Sequence, residues 1–187
     1  MRKQLVVAGL VLVMAVGASA QTQLGLMGIG GKLGLVSPEG DIGSTLGIGL
    51  QAKLGHVIPQ IALDAFVDFW TKGYEESYLG YRSDASFTEI AVGALAKYYL
   101  SLPQSNIKPY AGGGLALNFG HSKVESSVPG WRGGSESDTD VDLGIHLVGG
   151  AELPLTPNID GLAELKYAID GADYFAISVG AVFRLGR

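Results

Sequence analysis

The residues able to do chemistry in this chain are few. His146 is a candidate general base, and His121-Ser122 sets a base beside a hydroxyl. Hydrolysis by a protein nucleophile needs a nucleophile, a base within hydrogen-bond reach and a group that orients the base. No acid stands in evident register with His121, and His146 falls on the strand face opposite the bulky apolar one. The expectation is that the chain is not an enzyme. Gly47-Ile-Gly-Leu-Gln-Ala52 matches a degenerate dinucleotide fingerprint, but it lies inside an alternating pattern with no strand-to-helix turn. Gly31-Lys32 lacks the Ser or Thr and the spacing of a phosphate loop. Asp138, Asp140 and Asp142 share one parity and follow Glu136, so they could offer oxygen ligands to a hard cation such as Ca²⁺. The competing reading is a solvated acidic loop, and no metal or cofactor is expected. The chain has no Cys, which removes disulfides and thiolate sites.

The charges that do form a set are selected by parity. Lys32, Lys53, Asp64, Asp68, Glu89, Lys97, Asp142, Glu152, Glu164, Lys166 and Arg184 all fall on strand faces that also carry Gly and Ala. His146 joins them. The opposite faces carry Leu, Ile, Val and Phe. In Lys108 to Gly120, for example, Ala111, Gly113, Leu115, Leu117 and Phe119 alternate with Gly112, Gly114, Ala116, Asn118 and Gly120. A period of two marks a strand. Eight such segments follow one another, most of them near the ~9–11 residues of a tilted membrane crossing. They begin around Leu24, Thr45, Ile61, Glu89, Lys108, Val141, Ala163 and Tyr174. The connections 55–57, 101–107 and 154–158 read as short turns, while 37–43, 71–84 and 121–140 read as longer polar loops.

Two classes of barrel fit eight alternating strands. A soluble barrel buries its Leu face and wets its charged face. A small membrane barrel does the reverse. The Gly and Ala on the charged face favour the second, because crowding is an interior problem when eight strands leave just enough room for side chains. Aromatic residues agree. Phe69, Phe119, Tyr167 and Phe175 fall on the apolar face toward one end, and Tyr98 and Phe183 toward the other, as membrane-interface belts would require.

Residues 1–20 read as a secretory signal: Arg2-Lys3, an apolar run from Leu5 to Val16, and Ala18-Ser19-Ala20 before a cleavage at Gln21. The run is shorter than the ~20 residues of a spanning helix. Arg2 and Lys3 leave with it, so residues 21–187 keep 11 basic residues (13 less 2) against 18 acidic ones, a net charge of −7. Nucleic acid is not an expected partner of so acidic a chain.

The run from Lys108 to Gly120, with Pro109-Tyr110-Ala111-Gly112, resembles the small outer-membrane β-barrel family related to the OmpA transmembrane domain. The segment from Gly150 to Tyr167, a strand, the turn Leu155-Thr156-Pro157-Asn158 and a second strand, is similar. The resemblance covers residues 21–187 in architecture and departs from the family at its end, where Phe183 is followed by Arg184-Leu-Gly-Arg187. It implies one barrel domain with no appended peptidoglycan-binding domain, delivered to the outer membrane by the barrel-assembly machinery.

The expected fold is therefore an all-β, eight-stranded antiparallel up-and-down transmembrane barrel, monomeric, with its N-terminus periplasmic. The expected role is structural or interactive, with lipids and an external partner at the outer loops. In that reading the inward charges form a salt-bridged plug. The alternative is a narrow channel or carrier for small solutes, in which Lys and acid partners exchange. Trp131 and the Tyr74, Tyr78, Tyr81 set are candidate adhesive contacts, or headgroup-level aromatics.

Overall fold

The computed structural model describes residues 23–40, 43–78, 81–128 and 131–185. The signal segment 1–20 and the cleavage point at Gln21 lie outside them. Eight strands run β1 (Gln23–Pro38), β2 (Thr45–Ile58), β3 (Ile61–Tyr78), β4 (Tyr81–Tyr99), β5 (Lys108–Val128), β6 (Trp131–Thr156), β7 (Ile159–Ile169) and β8 (Tyr174–Arg184). Each pairs antiparallel with the next, and β1 pairs with β8 from Gly28↔Arg184 to Pro38↔Tyr174, so the sheet closes in sequence order.

Closure sorts the side chains by parity. Outward positions such as Leu46, Leu50, Leu143 and Val179 are each more than 60% exposed, while the alternate positions Phe66, Trp70, Leu95, Tyr110, Val148, Tyr174 and Val182 are buried. A continuous apolar outer surface is far beyond the few hundred Å² that a soluble monomer leaves bare, and lipid is the solvent that fits it. Among the described residues no helix is long and apolar enough to cross a membrane. The strands make the crossing. The closed ring gives every backbone group within the hydrocarbon a partner.

Four connections differ from the sequence reading. The expected turn 154–158 narrows to Pro157-Asn158, with β6 running on to Thr156. The expected turn at Gly55-His56-Val57 is still strand. Gly55, at φ +98°, sits at a bulge after Lys53, and the chain reverses at Pro59-Gln60. The expected loops 71–84 and 121–140 are also strand over their described residues, 71–78 and 81–84 in the first and 121–128 and 131–140 in the second. Tyr78 pairs with Tyr81, Arg82 with Ser127 and Val128 with Trp131. Polar residues are compatible with these ladders because this part of the sheet rises clear of the apolar band, where both faces can be wet. The result is a four-stranded flap of β3 to β6 standing above one side of the barrel. β7 begins to pair with β6 only at Ile145↔Ile169, so the outer part of β6 is a free edge. β6 has 26 residues and β7 has 11, a difference of about 50 Å of extended chain. The flap marks the upper end of the barrel.

Glycine sets the approach of adjacent strands. A Cβ on Gly114 would lie 1.8 Å from the Ala94 carbonyl oxygen, and one on Gly93 would lie 2.4 Å from that of Leu115. Backbone cannot yield there as a side chain would. Gly114→Val is expected to abolish the folded, heat-modifiable band on cold SDS gels or lower its unfolding temperature by more than about 10 °C, the scale of a severe core lesion. Gly134→Val, where nothing lies within 4 Å, should leave the band unchanged.

Candidate functional site

The barrel interior holds the only dense set of ionic groups among the described residues, and the sheet explains its order. Lys32 on β1 faces Gly49 on β2 and Gly180 on β8. A Cβ on Gly49 would lie 2.2 Å from Asp68 Oδ1 and 2.6 Å from Lys32 Cε, so the missing side chain is what lets this pair meet. Gly150 does the same for Tyr110, whose hydroxyl would lie 2.7 Å from an added Cβ. Large and absent side chains alternate around the ring because a narrow interior cannot hold two large ones side by side.

Six charges form one chain across the middle of the barrel. Lys97 Nζ lies 3.0 Å from Asp64 Oδ2 and 3.1 Å from Glu164 Oε2. The other oxygen of Glu164 lies 2.9 Å from Lys32 Nζ. Lys32 reaches Asp68 Oδ1 at 3.2 Å, and Asp68 Oδ2 accepts from Lys166 at 2.5 Å. The order Asp64, Lys97, Glu164, Lys32, Asp68, Lys166 alternates in sign and sums to zero. Two aromatic rings seal it. Lys166 Nζ lies 3.7 Å from the Phe66 ring centroid, and Lys97 Nζ lies 4.5 Å from that of Tyr110. The Tyr110 hydroxyl donates to Glu164 Oε2 at 2.8 Å.

Below this chain Lys53 meets Glu152 at 2.6 Å, and the Tyr99 hydroxyl donates to the same carboxylate at 2.8 Å. At the lower rim the Arg184 guanidinium grips Asp160 through two nitrogens, one of them at 2.7 Å. His146 is fully buried, with Nε2 3.3 Å from Asn118 Oδ1 and 3.9 Å from Asp170 Oδ2. Its ring packs 5.2 Å from Phe66 and 6.2 Å from Tyr174.

Of the charges selected by parity, Lys32, Asp64, Asp68, Lys97, Glu164 and Lys166 come together in one cluster, and Lys53 and Glu152 in a second. Glu89 is buried higher up, apart from any cation among the described residues. Asp142 is exposed at the upper mouth. Asp138 and Asp140 are exposed on the flap, and among the described residues no three His, Cys, Asp or Glu converge on a metal position. Sequence reasoning misses Asp160, because the seventh strand begins at Ile159, in the stretch left unassigned between the turn 154–158 and the strand read from Ala163. Its parity with Leu162 and Glu164 is the available signal. Phe66, Trp70, Tyr99, Tyr110 and Tyr174, the aromatic fill, are also legible by parity but carry no charge to draw attention. The aromatics Phe69, Phe119 and Phe175 lie on the outer face toward the upper end and Tyr98 and Phe183 toward the lower end, all between 37% and 49% exposed. Tyr167 shares the upper outer position, its hydroxyl donating to Glu39 at 2.8 Å. The side chains of Tyr78, Tyr81 and Trp131 lie outside the described residues.

Comparison with known proteins fits this geometry. The family model for the outer membrane protein β-barrel domain matches residues 6–184. The chain belongs to that family. No curated protein sequence matches it significantly. Several solved structures share its fold. Neisserial surface protein A is 20% identical, with 85% of this chain and 97% of that one covered and a TM-score of 0.57. A major outer membrane protein from Thermus thermophilus is 12% identical, with 86% and 100% covered and a TM-score of 0.62. These neighbours share the fold of an eight-stranded outer-membrane barrel, and the family places the chain in the outer membrane.

Breaking one member of a buried ionic cluster leaves its partners uncompensated, which costs about 3–5 kcal/mol. Lys97→Met should therefore lower the unfolding free energy in detergent micelles by about that much, read from the shift of the urea midpoint. Arg184→Gln, at the partly exposed rim, should cost about 1 kcal/mol or less.

Proposed function

We propose that this protein is a non-enzymatic structural or surface-interaction component of the bacterial outer membrane, and that its barrel is a plug and not a pore. The observation that supports the plug is the alternating chain from Asp64 to Lys166, which joins β1, β3, β4 and β7 across the lumen. The space left beside it, lined by Lys32, Asp68, Trp70, Lys166 and Tyr174, is a cavity of about 20 Å³, room for a single water. An ion crossing this layer would have to displace paired, largely buried charges.

The role at the surface follows from the flap. An uninterrupted wet sheet above the membrane offers an external partner two faces and a free β6 edge. With the short turns periplasmic and the flap extracellular, as small membrane barrels are arranged, a membrane-impermeant maleimide applied to intact cells should label Gly134→Cys and not Asn158→Cys. The chain has no native Cys to confuse the readout.

The second reading, a narrow channel, rests on Lys32 and Glu164 each touching two partners, which lets the network exchange contacts. Single-channel recording separates the two. The refolded protein in a planar bilayer is expected to show no discrete openings, and the paired removal Asp68→Ala with Lys166→Ala is expected to create them. Openings by the unmodified protein would establish the channel.

A further inference from the structure

Above the balanced chain the interior changes sign. A vestibule of about 80 Å³ opens at the upper mouth between Phe87, Glu89, Asn118, Asp140, Asp142 and Asp170. It has four carboxylates, and none of the ion pairs made by the lumen's Lys and Arg residues reaches them. Glu89 is the telling member. It is 2% exposed, lines the vestibule, and its Oε1 has no hydrogen-bond partner. Asn118, 4% exposed in the same wall, has an unpartnered Nδ2. Asp170 Oδ2 is buried and likewise unpartnered, with the His146 ring nitrogen 3.9 Å away. Each of these carboxylates is only half satisfied: Asp170 Oδ1 accepts from the Ala172 N–H at 2.9 Å and the Trp70 indole faces Glu89, while Asp170 Oδ2 and Glu89 Oε1 are left over. A buried acceptor left unpaired is costly, and the cavity beside these oxygens is large enough to admit a donor.

The glycines in this wall keep the space open. A Cβ on Gly171 would lie 2.5 Å from Asp142 Oδ2, and one on Gly144 would lie 2.2 Å from Asn118 Nδ2 and 2.8 Å from the Asp170 Cβ. Phe87 forms the apolar side, its ring 5.2 Å from that of Trp70. Above the mouth, Glu136, Asp138 and Asp140 continue the same face up β6 with Asp142, an acidic row along the free edge of the flap. Such a row raises the local concentration of cations at the mouth.

We propose that this vestibule binds an organic ammonium group, the charged end of a linear aliphatic amine. The donor set selects this class over an inorganic ion. A chelated Ca²⁺ needs about six or more oxygens at roughly 2.3–2.6 Å, and among the described residues no three acidic or His groups converge in that way. An ammonium group has three donors on a compact head and reaches separate acceptors at ordinary hydrogen-bond distances. Its methylene stem suits an aromatic wall, where cation–π attraction adds to the carboxylates. The site lies above the salt-bridged layer and does not depend on whether that layer conducts.

The test uses the refolded mature protein in neutral detergent micelles, carrying Trp131→Phe so that Trp70, packed on Phe87, is the sole indole. Spermidine is titrated against Trp70 emission, with calorimetry as a second readout, beside NaCl and MgCl₂ at matched ionic strength. The expected result is a saturable response to spermidine at concentrations at least tenfold below those at which either salt gives the same change. Glu89→Gln should weaken it tenfold or more. Asp142→Asn, at the exposed rim where folding is not at risk, should weaken it severalfold. The proposal is overturned if neither readout responds, if matched salt reproduces the response, if Mg²⁺ binds more tightly than spermidine, or if folded Glu89→Gln and Asp142→Asn bind as the parent does.

Discussion

Every feature of this molecule descends from the backbone hydrogen bond in hydrocarbon. A strand in lipid has no water to satisfy its N–H and C=O groups, so the sheet must have no edge there. The eleven β1–β8 pairs from Gly28↔Arg184 to Pro38↔Tyr174 supply that closure. Closing at eight strands fixes the bore. A bore of that size cannot hold free water beside large side chains, so it must be filled by the protein itself. The filling is then a mixture, an ionic chain packed among Phe66, Leu95, Val148, Leu162 and Val182, because the larger apolar half of each strand is already committed to the lipid. The ordinary hydrophobic core is turned inside out, and Lys97 and Asp64 occupy the position that Leu would hold in a soluble domain.

An ionic core is specific in a way an apolar one is not. Glu164 reaches Lys32 and Lys97 with separate oxygens while accepting from Tyr110, and Asp68 divides itself between Lys32 and Lys166. These groups lie on β1, β3, β4, β5 and β7, so the network reports the register of five strands at once. A one-residue slip in any of them would turn its charge toward lipid. The glycines opposite each large side chain enforce the same register sterically, as Gly49 does for the Lys32–Asp68 contact.

The crossing segments are legible in the sequence because parity has a period of two and the two solvents are unlike. Lys32, Asp68 and Lys166 are placed inside by parity alone, although nothing in spacing says which acid each Lys meets. That depends on strand order and stagger, which are properties of the closed ring. The flap is not legible. Once β4, β5 and β6 leave the hydrocarbon, both faces are wet, so Ser86, Lys123 and Asp138 lose the alternation that marks Val92 or Leu117. Their ladder is held by backbone pairing such as Asp84↔Glu125, which no side-chain pattern encodes. Glu89 illustrates the same limit. Its parity is plain, but its isolation from every cation among the described residues is a fact of three dimensions.

The unequal strands also give the molecule a heading. A plain cylinder in a membrane looks the same from every side as it rotates. Here β3 to β6 stand high and β7, β8, β1 and β2 stop low, tied down by the Glu39 N–H to Asp173 carbonyl contact and by Tyr167 to Glu39. The barrel is cut obliquely, like a quill, with a wall on one side and a sill on the other. Anything arriving from outside meets a backstop in one direction and an open approach in the other. The upper rim is thereby unlike on its two flanks, a tall polar wall on one and a low, tethered edge on the other.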